Sequence, residues 1–169
     1  MSNRAEPLDE AASSLCERLG YSFADTSLLL DALTHTSFRN ERPDLAARDN
    51  ERLEFLGDAV VDLVVASALF VEFPDADEGE LTRRRADLVS EKGLCEAAEE
   101  IGIGPAMRLG KGEEKSGGRT KPRLLSSALE ACIGAIFRDG GADAAFNACL
   151  LYTSDAADEF CHVVVCVGG

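Results

Sequence analysis

Apolar residues recur at helical spacing along most of the chain, with polar residues between them. Residues 9–20 carry the first such pattern and end at a glycine, as helices often do. A second helix is predicted after a cap at Asp25 or Thr26. The longest pattern covers residues 50–70, and Pro74 lies in the turn that ends it. The first half of the chain therefore predicts three helices.

The second half continues the helical pattern between two polar stretches. One further helix is predicted over residues 79–103. An apolar helix is predicted over residues 124–137 and ends at an Asp-Gly-Gly turn, and a short last helix follows over residues 142–151. Residues 39–50 are polar, and residues 102–123 are rich in glycine and charge, so both are predicted to be surface loops. The predicted fold class is all-α, in a single domain.

The amino-acid composition supports a helical fold, and the net charge makes a nucleic-acid partner unexpected. The chain has 169 residues, of which 46% are hydrophobic and only 6% aromatic, which suits helices better than a β-sandwich or barrel. Its net charge of -14 repels polyanions at long range unless basic residues cluster or metal ions intervene. Bulk charge alone does not indicate a nucleic-acid partner.

Cysteine usage and the termini predict a cytoplasmic protein with no membrane partner. The six cysteines form no CxxC pair, and three lie inside apolar helical runs, as reduced thiols do. The N-terminus has no apolar signal core, and the run "VVVCV" near the other end is too short to span a bilayer.

The long predicted helix, which contains "NERLEFLGDAVVDLVV", carries a row of carboxylates. Glu51, Glu54, Asp58 and Asp62 fall on one side of a helix that is otherwise apolar. Composition alone favours the solvent face of an amphipathic helix. However, no basic residue follows Arg52 in this helix, so acids one turn apart repel each other without compensation. Acids in a groove between helices would need a cation or protons.

The second apolar helix, "LLSSALEACIGAIF", offers one more acid. Glu130 follows Ser126 and Ser127 by one turn, and a lone glutamate of this kind is usually a helix-surface residue. If it faces the first helix, Glu54, Asp58 and Glu130 form an oxygen-rich site suited to Mg²⁺. Such a site can activate water and stabilise charge at phosphorus.

These segments resemble one known family, the bacterial ribonucleases III. "NERLEFLGDAVVDLVV" is similar to that family's signature segment, and the similarity extends over about residues 10–147 in the family's order and spacing. Four further blocks carry it: "LGYSFADTSLLLDALTHTSF", "FPDADEGELTRRRADLVS", "RLGKGEEKSGG" and "LEACIGAIFRDGG". The resemblance implies an all-helical endonuclease domain that forms a homodimer and cleaves double-stranded RNA, with Mg²⁺ as cofactor and Mn²⁺ as a substitute.

The resemblance also implies roles for individual residues. Glu54, Asp58 and Glu130 match acids of the family's metal site, with Asp58 and Glu130 as the catalytic pair. Glu51 matches a supporting acid, and Glu78 an acid at the edge of the cleft. Phe55 matches an aromatic that enters a socket on the partner subunit, although an ordinary core phenylalanine is the alternative interpretation.

The chain departs from the family pattern at two places. Ser127 stands at a metal-site position where the family has an acid, so we expect weaker metal affinity and a higher Mg²⁺ requirement. Residues 1–148 are predicted to form the endonuclease domain, and residues 149–169 an atypical tail in place of a linker and an RNA-binding domain, with an artefactual end of the reading frame as one interpretation. Glu159 and His162 in that tail form an ExxH motif that favours a metal site only weakly.

Basic residues concentrate in the predicted loop. Residues 108–123 hold six basic and two acidic residues, and non-sequence-specific RNA binding is expected there, with a solvated loop as the alternative. The expected RNA contacts are Lys111, Lys115, Arg119 and Lys121. His35 in "LTHTS" is assigned to packing and hydrogen bonding.

Two functions remain open on the sequence. The first is a Mg²⁺-dependent endoribonuclease acting on double-stranded RNA, as in rRNA or mRNA processing. The second is a dimer that binds structured RNA but cleaves it weakly or not at all, because of Ser127 and the missing RNA-binding domain. A carboxylate-bridged di-iron bundle requires two ExxH motifs, which the chain lacks before the tail.

Overall fold

The computed structural model describes residues 8–153 and the side chains of residues 8–149, so the predicted metal site at Glu159 and His162 lies outside the described residues. The described residues form nine α-helices and one 3₁₀ turn, and no β-strand is found among them. The predicted all-α fold class is therefore confirmed. The helices are α1 (Glu10–Arg18), α2 (Thr26–Leu33), α3 (Thr36–Glu41), α4 (Glu51–Glu72), α5 (Glu78–Leu88), α6 (Glu91–Glu100), α7 (Ile103–Ala106), α8 (Lys111–Lys115) and α9 (Pro122–Thr153), with the 3₁₀ turn at Gly118–Thr120.

Short polar side chains begin most of the longer helices. Asp9, Asp25, Asp77 and Ser90 each accept a hydrogen bond from a backbone N–H in the first turn of α1, α2, α5 and α6. These caps satisfy donors that the start of a helix leaves without partners. The predicted cap at Asp25 is confirmed.

Helix α9 is the centre of the bundle. Nearly every residue from Leu125 to Ile136 is buried, and α2, α4 and α6 all pack against α9. The predicted break after residue 139 is also present, because Gly141 adopts a left-handed φ of 81° that interrupts the helix. A residue with a side chain would be strained there, which explains glycine at this position.

Helices α4 and α9 cross so closely that their backbones are in contact. A Cβ atom on Gly57 of α4 would overlap the carbonyl oxygen of Glu130, and one on Gly134 of α9 would overlap the carbonyl oxygen of Leu53. The two glycines lie opposite each other across the crossing. Without them the helices could not come this close, and the residues beside the crossing would separate.

The predicted single helix over residues 79–103 is wrong in one respect. It is divided into α5 and α6, because Ser90 caps a new helix through a hydrogen bond from the backbone N–H of Gly93. A Cβ on Gly93 would overlap the backbone of Leu88 at the end of α5. A serine cap and a glycine thus mark a helix boundary inside a continuous apolar pattern.

The predicted surface loop over residues 102–123 is largely folded. It contains α7, α8 and the 3₁₀ turn, and it buries Ile103, Met107 and Leu109. One nitrogen of the Arg119 guanidinium, Nη1, lies 2.8–2.9 Å from the carbonyl oxygens of Gly104, Pro105 and Met107. These bonds join side chains to backbone, so they leave no periodic apolar signal in the sequence.

The predicted loop at residues 39–50 is also shorter than expected, because α3 extends to Glu41. His35 begins α3, and its Nδ1 accepts a hydrogen bond of 3.2 Å from the backbone N–H of Ser37. The backbone N–H of His35 donates to the carbonyl of Arg108 at 3.0 Å. The hydrogen-bonding role predicted for His35 is confirmed.

No helix within residues 8–153 combines the length and the apolar character that a membrane span requires.

We predict that Gly57→Ala destabilises the protein by about 1–3 kcal/mol or more, because the added methyl group must push α4 away from α9. Urea unfolding followed by circular dichroism measures the change. Gly112→Ala is the matched control, since a Cβ there meets no atom within 4 Å. Equal stability of Gly57→Ala and the control would show that the two helices are not held at this distance.

Candidate active site

Four carboxylates follow one side of α4 beside its crossing with α9. Glu54 and Asp62 are half-buried, whereas Glu51 and Asp58 are exposed. The stripe is therefore neither a plain solvent face nor a fully buried row. It lies at the edge of the contact between the two helices.

Ser127 joins the two helices directly. Its Oγ donates a 2.9 Å hydrogen bond to Oε1 of Glu54, across 73 positions of sequence. Two of the four predicted metal-site positions are thus in contact. The serine holds the glutamate in place, although its hydroxyl adds no negative charge.

Glu130 lies one turn further along α9, and its surroundings oppose its ionisation. Burial, followed by the negative charges of Asp58 and Glu54, raises the pKa of Glu130 to about 7. Asp62 adds to this effect, while Arg123 acts in the opposite direction. The α4 acids therefore act on Glu130 across the helix crossing.

The donor chemistry of these side chains fits a hard divalent cation. Glu54, Asp58, Ser127 and Glu130 offer only oxygen atoms, which Mg²⁺ prefers. A cation would also offset the repulsion that raises the pKa of Glu130. Within the described side chains, no three His, Cys, Asp or Glu residues are already gathered as a coordinating group.

A small polar cavity of about 120 Å³ lies next to Glu54 and Ser127. The starts of α3, α4 and α9 enclose it. Its walls therefore combine acidic, basic and neutral polar groups within reach of the acid stripe. The lining residues are His35, Thr36, Asn50, Glu51, Glu54, Arg123, Leu124 and Ser127.

Phe55 is exposed to an unusual degree for a large apolar side chain. It is 81% exposed, so the alternative of an ordinary core phenylalanine is wrong in the isolated chain. It borders a second cavity of about 760 Å³, which is lined by apolar side chains, four arginines and three acids. Glu51 lines both cavities.

Glu78 lies apart from the hydrogen bonds that connect α4 and α9. It is the first residue of α5, it is exposed, and it accepts a 3.0 Å hydrogen bond from Thr82 within its own helix. Its assignment as a cleft-edge acid stays a prediction.

The four predicted RNA contacts differ in how freely their charges are available. Lys111 and Lys115 have exposed side chains that form no ion pair with a described residue. Arg119 pairs with Glu114 at 2.7 Å, and Lys121 pairs with Glu113. The first two are therefore the stronger candidates, and the RNA-binding role of all four stays a prediction.

Sequence reasoning did not identify several residues that shape this site. Gly57 and Gly134 set the helix spacing, and glycine inside an apolar helix was the available signal. Asn50 and Arg123 line the small cavity. Periodicity gave no signal for them, because they lie at helix ends and meet only in the folded chain.

Comparison with known proteins shows consistent similarity. The family model described as Ribonuclease-III-like matches residues 25–154. The ribonuclease 3 of Syntrophotalea carbinolica is 54% identical over 134 residues, covering 79% of this chain and 58% of that protein. The ribonuclease 3 of Symbiobacterium thermophilum is 52% identical and is also covered to 58%. The chain thus spans less than two thirds of the length of these relatives.

Two solved structures of the ribonuclease III nuclease domain from Campylobacter jejuni share the fold. One aligns with a TM-score of 0.81 and 41% identity, covering 89% of this chain and 98% of that domain. The other aligns with a TM-score of 0.78 and 43% identity, covering 84% and 95%. The latter is described by the flexibility of a region involved in dimer formation.

We predict that Glu130 makes the stability of the metal-free protein fall as the pH rises. Its pKa is near 4.5 in an unfolded chain and about 7 when folded, so its ionisation opposes folding increasingly as the pH rises from 4.5 through 7. Glu130→Gln should match the wild type in melting temperature near pH 5 and exceed it at pH 8 in EDTA. Circular dichroism melting curves measure both.

Glu96→Gln is the control for this experiment, because Glu96 is an exposed acid on α6 whose one ion pair with a described residue is a long one, with Lys92 at 3.8 Å. It should follow the wild-type curve at every pH. Parallel curves for the wild type and Glu130→Gln would contradict the account of the buried carboxylate.

Proposed function

The chain belongs to the ribonuclease-III-like family, and on that premise we propose that it is an endoribonuclease that hydrolyses phosphodiester bonds in double-stranded RNA. The main support is one observation, the contact of Ser127 with Glu54 beside a Glu130 whose pKa the α4 acids raise. This places the oxygen donors of two helices at one edge of the bundle. Processing of rRNA or mRNA is the expected cellular context.

Glu54, Asp58, Ser127 and Glu130 would hold Mg²⁺, with Mn²⁺ as a substitute. When bound there, the cation supplies a Lewis acid for the phosphodiester oxygens and favours a water nucleophile. Glu51, at the start of α4 beside both cavities, supports the site by extending its negative potential. Glu78 is the proposed acid at the cleft edge.

The side chains of this chain orient the donors and handle protons. Ser127 restricts the rotamers of Glu54 through its 2.9 Å hydrogen bond. Asp58 is exposed, so it faces the approaching substrate without rearrangement. Because the pKa of Glu130 is about 7 without a cation, its carboxyl group would release its proton when a divalent cation binds near neutral pH.

Double-stranded RNA is the proposed substrate, because its regularly spaced phosphates can contact basic side chains at several separate positions of the chain. Lys111 and Lys115 on α8 would contact phosphates, with Arg119 and Lys121 holding the segment that carries them. Such contacts are insensitive to base sequence. They also compensate locally for the chain's net charge of -14.

A second copy of the chain is the proposed protein partner. Phe55, Ala59, Leu63 and Phe70 fall on one side of α4, and all four are exposed, which leaves an apolar face without a partner in the isolated chain. In the homodimer, the partner's Phe55 would enter the cavity of about 760 Å³. The dimer-forming region noted for the Campylobacter domain supports this choice of partner.

The alternative function is a dimer that binds structured RNA with weak or no cleavage. Ser127 favours it, because a hydroxyl that donates to Glu54 brings no charge to the cation. The two functions differ in whether cleavage appears at any metal concentration.

We predict metal-dependent cleavage of end-labelled double-stranded RNA, with none in EDTA. Glu130→Ala should abolish cleavage because it removes a carboxylate ligand. Ser127→Asp should lower the Mg²⁺ concentration needed for half-maximal cleavage, about tenfold if the added ligand contributes about 1.4 kcal/mol. Titrations of Mg²⁺ and Mn²⁺ measure both effects.

Lys92→Ala is the control, since its exposed pair with Glu96 lies on α6. RNA binding without product under all metal conditions would favour the alternative function. An unchanged Mg²⁺ requirement in Ser127→Asp would show that position 127 does not contact the metal.

A further inference from the structure

The small cavity beside Glu54 and Ser127 contains donors that the proposed metal site does not use. Its volume of about 120 Å³ is far more than one water molecule needs, so a phosphate group fits. Asn50, His35 and Arg123 line it. Each carries N–H groups, which bind anions rather than cations.

Asn50 has a largely buried side chain that forms no hydrogen bond with a described residue. It is only 4% exposed, it precedes α4, and it makes no capping hydrogen bond to that helix. No other side-chain hydrogen bond of Asn50 occurs in the described part of the chain. Its amide is not among the buried polar atoms that lack a hydrogen bond, so water in the cavity reaches it, and a ligand that accepts its hydrogen bond can replace that water.

Arg123 supplies a free positive charge at the same cavity. Its side chain is exposed, and no carboxylate between residues 8 and 149 lies within ion-pair distance of it. It precedes Ser127 and Glu130 by one and two turns on the same face of α9. It is close enough to oppose the rise in the pKa of Glu130, so its charge reaches the acidic site.

His35 completes the set with one more donor. Its Nδ1 lies 3.2 Å from the backbone nitrogen and 2.8 Å from the hydroxyl oxygen of Ser37, so Nε2 is the ring nitrogen that has no hydrogen bond with a described residue. The cavity thus combines an amide, an imidazole ring and a guanidinium beside carboxylates that would hold a cation. A phosphate bound there would also have its charge balanced by that cation.

We propose that Asn50 and Arg123 bind a phosphate of the RNA strand next to the phosphodiester held at Glu54, Asp58 and Glu130. They are positioning residues that set which phosphodiester reaches the acids. A guanidinium binds phosphate oxygens through two parallel hydrogen bonds, independently of base identity. This inference rests on the proposed function, since it requires RNA as the substrate.

Equilibrium binding tests it separately from cleavage. Fluorescence anisotropy of a labelled RNA duplex is measured with the wild-type chain in EDTA, where no cleavage is expected, at several KCl concentrations. Arg123→Ala should weaken binding about tenfold and lower the slope of log affinity against log salt by about one, the loss of one phosphate contact. Arg123→Lys should keep the wild-type slope, and Lys92→Ala should change neither quantity.

Asn50→Asp is the second variant, because it keeps the shape of the side chain and replaces the N–H donors with a negative charge. It should weaken binding about as much as Arg123→Ala does. In steady-state cleavage by the chain with Glu130 intact, Arg123→Ala should raise KM about tenfold with kcat within about twofold.

Unchanged RNA affinity and salt slope in Arg123→Ala would overturn the inference. The inference would also be overturned if Arg123→Ala needed less Mg²⁺ for cleavage while its RNA affinity stayed unchanged. Arg123 would then neutralise the acids rather than bind a phosphate. If the wild type cleaves no RNA, the proposed function fails, and the binding measurements still decide whether Asn50 and Arg123 contact phosphate.

Discussion

The close approach of α4 and α9 at Gly57 and Gly134 is the contact on which the rest of the structure depends. Each glycine leaves room for a backbone carbonyl of the other helix, so the helices cross without side chains between them. That spacing allows the hydrogen bond from Ser127 to Glu54 and exposes Glu130 to the charges of α4. The fold and the acidic site are thus consequences of one packing constraint.

The same contact brings carboxylates of α4 and α9 close together, and the proposed function depends on the resulting repulsion, which a bound cation would offset. Carboxylates at the edge of an apolar crossing repel each other and lose hydration, which is why Glu130 holds its proton to about pH 7. A divalent cation reverses this cost. In the proposed metal site, a bound cation would offset the stability that these carboxylates cost, and Ser127 reduces that repulsion by one charge.

Periodicity and caps predicted much of the fold, because they depend on neighbours in sequence. The apolar pattern indicated α1, α2, α4 and α9, and the acids of α4 were visible as one stripe. Residues 102–123 were misjudged because Arg119 secures them through backbone carbonyls, which leave no apolar period. The pairing of Asn50 with Arg123 at one cavity depends on tertiary packing, so no local pattern could show it.

The most direct test of this account is a Mn²⁺ titration followed by electron paramagnetic resonance, comparing the wild type with Glu54→Gln on α4 and Glu130→Gln on α9. If the helix crossing builds the site, the wild type binds Mn²⁺ and each variant loses most of its affinity, with unchanged helix content by circular dichroism. Full Mn²⁺ affinity in either variant would contradict the account, because one helix alone would then hold the ion.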